Sequence, residues 1–361
     1  MSVVSIRKIA DQSYENIKAT VNQVIADVGG LEDIVKPGCK VIIKPNLVAC
    51  PTERLSGGVT RWEVCLAIYE AVQAVGGIPV IAESSAAGAD TELTIAKCGY
   101  QELRDRGNAR CTVPVENSVV FDKINTWELV RDADAIITVP VMKTHDQTEI
   151  TLGMKNLKGL LIDTQKKDFH KKGLIEGVVD WCLYLKPVLE IIDGTFGQQG
   201  LGPIFGETKQ MDLIVGSKDL VACEAVTGKI MGYEPEEVMI TKSASKRGYG
   251  EMDLNKIEVI GKQVEEVKSR FKRSCEVEIE GIPASFNLIF SKDACTGCHN
   301  TVISALMDMK AQDLFPYLEG MNVCVGPCTK EHLPADATAE NTVCIGVCAK
   351  KLADEMGFRW V

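Results

Sequence analysis

Six cysteines of this 361-residue chain fall in three close pairs: Cys295-Thr-Gly-Cys298, Cys324-Val-Gly-Pro-Cys328 and Cys344-Ile-Gly-Val-Cys348. Thiolates two or three residues apart on glycine-containing loops can converge on one point without straining the backbone, which a metal or iron–sulfur centre requires. Six sulfurs, one Cys-x-x-Cys and neighbouring glycines make a 4Fe–4S cluster the first expectation. Zinc is the alternative, since four sulfurs would then suffice and two would be spare. A thiol–disulfide role is a third reading. The string Cys295-Thr-Gly-Cys298-His299 also satisfies the haem-attachment pattern, a chemistry of exported proteins. The spacing is not that of a compact ferredoxin run, and it does not say which four of the six would bind.

A second set of polar residues is spread through the first two thirds of the chain. Lys44 and Asn46 follow one apolar run, and Lys143 and His145 follow another. In an extended stretch, residues two apart point the same way. A paired lysine and histidine can then bind a carboxylate or phosphate and move a proton near neutral pH. The plain alternative is a solvated, charged loop. Lys155 and Lys158 share one face if their stretch is helical, with Asn156 between them, although alone they read as surface lysines. A loop over 194–206 holds five glycines. It lacks both the phosphate-loop and the dinucleotide fingerprints, yet Gly200 and Gly202 could offer backbone N–H groups to an anion.

The elements that must position these groups alternate. Tyr14–Val28 has helical periodicity with Ser13 as N-cap and Gly29-Gly30 as stop. Lys40–Lys44, Ile78–Ala82, Ala133–Val139, Val188–Ile192 and Asp212–Gly216 read as short strands. Trp62–Val75, Leu174–Leu185 and Asp219–Met231 read as helices. The pattern predicts an α/β fold: a mainly parallel sheet with helices on both faces, plus a small C-terminal cysteine-rich metal-binding module. The α/β domain is expected over 1–265 and the cysteine module over 275–361. Ligands of such sheets bind beyond the strands' carboxyl ends, where Lys44, Lys143 and the glycine loop all fall.

Composition narrows the partners. A net charge of −10, with basic residues interspersed among acids, argues against nucleic acid or an anionic membrane as the main partner. No run reaches the roughly 18 apolar residues of a membrane span, and Met1–Lys8 turns polar at once, so a cytoplasmic location is expected. In a reducing compartment paired cysteines read as ligands or redox groups. The other eight cysteines, scattered mostly in apolar stretches, read as small buried hydrophobes. His170, in a basic stretch, and His332 read first as surface residues; His170 could instead close over an anionic substrate.

At these segments the chain resembles the family named domain of unknown function 362. The resemblance rests on Val41-Ile-Ile-Lys-Pro-Asn-Leu47, Val139-Pro-Val-Met-Lys-Thr-His145 and Leu152-Gly-Met-Lys-Asn-Leu-Lys-Gly159. Ile192-Asp-Gly194, Gly202-Pro203 with Gly206, and Asp219-Leu-Val-Ala-Cys-Glu-Ala225 add to it, so that it covers about residues 1–240. Members often stand beside or fused to iron–sulfur modules, mostly in anaerobes. Two positions depart from the family pattern: Glu224, where Asp is expected, and Gln198-Gln199, where an acidic residue is expected. A fainter similarity, to the nickel-dependent lactate racemase family, rests on His145 and the 153–159 stretch. It implies a small hydroxy acid or other carboxylate as ligand, with His145 handling a proton, and does not extend to the nickel cofactor.

The leading expectation is therefore an oxygen-sensitive iron–sulfur enzyme, oxidoreductase-like. A small anionic molecule would be bound by Lys44, Asn46, Lys155, Asn156, Lys158, Gly200 and Gly202. Lys143 and His145 would be catalytic, and a redox partner protein would be implied. The alternatives are a non-catalytic electron carrier or cluster-delivery protein, and a zinc-stapled binding module.

Overall fold

The computed structural model describes residues 1–51, 53–86, 89–100, 109–291, 294 and 296–361. They form two compact units: Met1–Thr144 with Ile150–Phe271, and His145–Glu149 with Lys272–Val361.

The larger unit is built on one sheet. Its nine strands among the described residues include β1 (Ser2–Lys8), β2 (Lys40–Pro45), β3 (Ile78–Ile81), β4 (Ala135–Val139), β5 (Val141–His145), β6 (Leu189–Gln199), β7 (Glu207–Ser217) and β8 (Ile257–Gly261), the ninth being the short Glu149–Thr151 against β5. The order across the sheet is β8-β1-β7-β6-β4-β2-β3, with β5 pairing β6. Pairing among β1–β8 is parallel except where β7 meets β6 and β1. The sheet is thus mostly parallel, and its central strands are apolar on both faces. Val41, Ile43 and Ile137 pack into one core with α1 (Tyr14–Asp27) and α2 (Trp62–Ala74). Ile42 and Ile136 point into another, shared with helix Leu174–Leu185 through Val178, Val179 and Trp181. The two-residue side-chain period of a strand makes this division, and a strand covered on both faces has no polar side to alternate with.

Helix signals act as their chemistry predicts. Ser13 accepts from the N–H of Asn16 at the start of α1, and Asp219 accepts from the N–H of Ala222 at the start of helix Leu220–Met231. The glycine-rich connection differs from its reading as a loop. Gly194–Gln199 continues β6, paired antiparallel with β7, so the loop shrinks to a hairpin turn. Its glycines serve close packing: a Cβ on Gly197 would lie 2.7 Å from Met142 O and 2.9 Å from Phe271 Cζ. Only a residue without a side chain fits there.

The smaller unit holds a parallel sheet of four strands: β9 (Asn287–Phe290), β10 (Asn322–Val325), β11 (Thr342–Ile345) and β12 (Arg359–Trp360). Val302 and Leu306 of helix Thr296–Ala311 share a core with Val325, while Leu352 and Ala353 of helix Lys350–Met356 share another with Cys324 and Cys344. No helix among the described residues is long and apolar enough to cross a membrane.

The 46–61 connection is pinned to β6 by Gly57, whose φ is +71° and whose Cβ would lie 2.1 Å from Gly197 O. Gly38 has φ +84° with nothing within 4 Å of its Cβ position. Gly38→Ala should therefore cost about 1–2 kcal/mol, the backbone cost alone. Gly57→Ala adds a backbone clash, and its urea midpoint should fall clearly further; equal shifts would remove the close approach as a constraint.

Candidate functional site

Beyond the carboxyl ends of β2, β4 and β5 lies a continuous chain of buried polar groups. Lys44 Nζ donates to Glu83 Oε2 at 2.9 Å, to Pro45 O at 2.6 Å and to Asn156 Oδ1 at 3.1 Å. Asn156 returns its amide N–H groups to Lys44 O, at 2.9 Å, and to Thr138 Oγ1, at 3.1 Å. Asn46 Nδ2 donates to Asn156 Oδ1 at 3.2 Å, and Asn46 Oδ1 accepts from Lys143 Nζ at 2.9 Å. Lys143 Nζ also donates to Gly58 O at 2.6 Å and Pro203 O at 3.1 Å. Glu83 accepts the N–H groups of Leu47 and Ser84, each at 2.8 Å. Both lysine side chains are fully buried.

Each of the two ammonium groups has three acceptors, the full complement of a protonated amine. Burial pushes both pKa values below the usual lysine range. For Lys143 the nearby Lys155 charge adds to the fall, and for Lys44 the Glu83 carboxylate opposes it. Lys143 is thus an ammonium that gives up its proton more readily than an exposed lysine. Its donors are directed at protein oxygens, so it ties together Asn46, the 46–61 connection and the hairpin turn after β6. The glycines of that turn face Thr144: Thr144 Oγ1 donates to Gly200 O at 2.9 Å, and the Gly202 N–H is bonded to Gly200 O at 2.8 Å.

The 153–159 segment approaches the same chain of groups. It forms a short helix, Gly153–Asn156, then a 3-10 turn, Leu157–Leu160. A Cβ on Gly159 would lie 2.1 Å from Glu83 Oε1 and 2.6 Å from Lys44 Nζ, so the Lys44–Glu83 pair requires glycine there. Lys155 is half-buried and Lys158 buried. Lys158 Nζ meets His170 Nε2, which comes from helix Asp163–Lys172. One turn earlier, Lys166 Nζ donates to Ser84 O, Ser84 Oγ, Ser85 O and Asp163 Oδ1 at 2.6–3.2 Å. Beside this helix lies a cavity of about 520 Å³, in the size range of ligand pockets. Its lining carries the carboxylates of Asp90, Glu92 and Asp163 against the single guanidinium of Arg110, a balance that disfavours an anion.

Glu83 and Thr138 were not singled out by sequence reasoning, and His170 carried little weight in it. The signal for Glu83 is its place directly after an apolar strand, in Ala82-Glu83-Ser84-Ser85. His145 ends β5, but it clusters with the smaller unit. There its Nδ1 lies 2.8 Å from Asp146 Oδ1 and 2.9 Å from the Gln147 N–H. Gln147 needs a lone pair on that nitrogen and Asp146 a proton, so the two contacts call for opposite states of the ring.

In the smaller unit Cys324 and Cys344 face each other across β10 and β11, and both are fully buried. The thiols of Cys324, Cys328 and Cys344 are mutually within interaction range, and Cys328 Sγ lies 3.4 Å from Val325 O. Cys298 Sγ would lie 2.8 Å from a Cβ on Gly346, and Cys348 is exposed. Cys295 lies outside the described residues. Burial pushes the Cys324 thiol up to about 12 and raises those of Cys328 and Cys344. Neutral thiols of this kind are poor nucleophiles, and a bound metal would be needed to hold them as thiolates. Among the described residues, no group of three or more His, Cys, Asp or Glu side chains stands in metal-holding geometry.

Comparison with known proteins places these features in context. The family described as Domain of unknown function (DUF362) matches residues 41–229, which carry the whole buried chain of polar groups. A thylakoid-associated protein of Synechocystis sp. is 30% identical over 266 residues, 68% of this chain and 79% of that protein. The lactate racemase apoprotein from Thermoanaerobacterium thermosaccharolyticum aligns at 12% identity and a TM-score of 0.39. That alignment covers 63% of this chain and 57% of the racemase.

The Lys44–Glu83 pair has a direct energetic test. Lys44→Met and Glu83→Gln should each destabilise by about 3–5 kcal/mol, because each leaves a buried partner uncompensated. The double variant should lose clearly less than the sum, as read from urea unfolding. Additive losses would show that the two groups are not a unit.

Proposed function

The chain belongs to the family described as Domain of unknown function (DUF362), and we propose that its larger unit binds a small carboxylate or similar anion while its smaller unit holds an iron–sulfur cluster. The observation that carries the anion reading is the gathering of lysines beyond the strand ends. Lys44 is paired with Glu83 and Lys166 with Asp163, and burial lowers the pKa of Lys143 with the Lys155 charge adding to the fall. An anion at Lys155, Lys158 and His170 would relieve that repulsion. Lys44, Asn46, Lys143 and Asn156 would then form the rigid backing of the site rather than touch the ligand. Gly200 and Gly202 would hold the turn against Thr144. A helix bearing His170 and three further lysines, Lys167, Lys171 and Lys172, would add to the attraction.

For proton transfer the proposed group is His145, of the smaller unit, whose ring faces both the Gln147 N–H and the Asp146 carboxylate. Lys143 would act by setting the charge behind the site. For the smaller unit, the support is the meeting of the buried thiols of Cys324, Cys328 and Cys344; Cys295, Cys298 and Cys348 would be the further ligands. Buried, neutral thiols are poor nucleophiles, which disfavours a thiol–disulfide role, and each would release its proton on binding iron or zinc. Such a cluster would pass electrons to a redox partner protein. With no substrate turned over, the same centre would serve an electron carrier.

Two measurements test the two halves. In thermal unfolding, malate, lactate and phosphate should raise the midpoint of the wild type in proportion to log concentration. In Lys155→Met/Lys158→Met the anion-dependent rise should vanish while the basal midpoint moves little. No anion effect in the wild type would end the anion reading. Anaerobically purified protein should carry about four iron and four sulfide per chain, with visible absorbance bleached by dithionite and lost in Cys324→Ser/Cys344→Ser. Stoichiometric zinc without visible absorbance would make the unit a zinc-stapled module instead.

A further inference from the structure

A second buried charged system lies on the other side of the 153–159 segment. Glu190, on β6, and Glu224, on helix Leu220–Met231, are both buried, at 0% and 3% exposure. They accept hydrogen bonds from consecutive backbone groups: Gly153 N–H to Glu190 Oε1 and Met154 N–H to Glu224 Oε1, each at 2.7 Å. Glu224 Oε2 also accepts from Thr241 Oγ1 at 3.0 Å. Glu190 Oε2 is buried and meets no N–H or O–H donor among the described residues. A Cβ on Gly153 would lie 2.3 Å from Glu190 Oε1, so the approach is possible only at glycine.

Two carboxyl groups gripping neighbouring amides away from water cannot both be ionised, because each charge opposes the other and neither is solvated. We propose that Glu190 and Glu224 hold one proton between them and so position the 153–159 segment, with the proton residing on the Glu190 carboxyl, whose Oε2 meets no N–H or O–H donor among the described residues. The charged and titratable groups facing the pair reinforce this. Cys223 and Asp219 come from helix Leu220–Met231, Cys182 from helix Leu174–Leu185, and Tyr249 from the turn after helix Met239–Lys246. None of these is a cation; Arg247 acts on Cys182 and pairs with Asp180 and Glu176. Burial and mutual repulsion raise Glu190 well above the usual carboxylate range, and burial raises Glu224 to about 7.

The inference does not need the anion reading, since it concerns how the segment is held and not what the segment binds. Its sign is fixed by linkage. A carboxyl pKa raised in the folded chain stabilises the fold fully at low pH. That contribution fades as pH rises from the unfolded value, about 4.3, through the folded one. Glutamine can still accept the backbone N–H but cannot ionise. In the full chain, the thermal midpoint of Glu224→Gln relative to wild type should therefore rise between pH 5 and pH 8.5, by at least about 5 °C. Glu190→Gln should follow the same trend. An offset that stays constant with pH would overturn the proposal, because a merely structural hydrogen bond has no such profile. Should the variants not fold, infrared spectroscopy of the wild type decides. A protonated-carboxyl stretch that persists at neutral pH and fades in strong alkali supports the shared proton, and its absence at neutral pH refutes it. Neither readout uses an anion, so failure here leaves the anion reading standing, and the reverse holds as well.

Discussion

The contact on which the larger unit depends is the ion pair between Lys44 and Glu83. Removing two charges from water costs several kcal/mol each, and their attraction repays this only when every remaining donor and lone pair is also satisfied. That requirement propagates. Lys44 needs Asn156 and Pro45 O as further acceptors, and Glu83 needs the N–H groups of Leu47 and Ser84. Asn156 in turn needs Thr138 and Asn46, and Asn46 brings in Lys143. Lys143 then fixes two connections through Gly58 O and Pro203 O. One buried pair thereby constrains residues on β2, β4 and β5, in the connection after β3 and in the 153–159 segment.

The sequence makes much of this legible, for a specific reason. Lys44, Asn46, Lys143 and Asn156 are polar residues at the ends of apolar strands or in a short motif, where a buried polar side chain is unexpected and therefore conspicuous. Ser13 and Asp219 are legible as caps because the cap is a local interaction. Glu83 is not conspicuous, because an acid followed by two serines after a strand reads as a surface turn. Its importance comes from Lys44, 39 positions away. The course of β6 past Ile192 escapes for the opposite reason: five glycines signal a loop, whereas crowding by Met142 and Phe271 is what demands Gly194 and Gly197 within the strand. Glu224 and Gln198 stand where the family resemblance leads to aspartate and an acid. At 224 the longer side chain reaches both the Met154 N–H and the Thr241 hydroxyl.

Buried ionisable groups are met in two ways. In the larger unit, lysines find carboxylates, carbonyls and amide oxygens, while Glu190 and the thiols of Cys182 and Cys223 are pushed toward their neutral forms. In the smaller one, burial is answered by neutrality, with Cys324, Cys328 and Cys344 all pushed toward the protonated thiol. A neutral thiol is a tolerable core residue, and Cys324 and Cys344 pack with Leu352 and Phe358 as such. The same three sulfurs would become ligands only if a metal supplied the positive charge that removes their protons.

The 153–159 segment is where the constraints of the larger unit meet. Its first two amides are held by Glu190 and Glu224 on one side, and its Asn156 and Gly159 are held by Lys44 and Glu83 on the other. Both grips need glycine at the point of contact, Gly153 for the first and Gly159 for the second, because a side chain would displace a carboxylate oxygen. Lys155 and Lys158 lie between the two grips and take no part in either. A backbone clamped at both ends restricts where their ammonium groups can go, so less conformational entropy would be lost if they closed on a ligand. The buried charges, costly as they are, thus fix the backbone from which the half-buried Lys155 and the buried Lys158 extend.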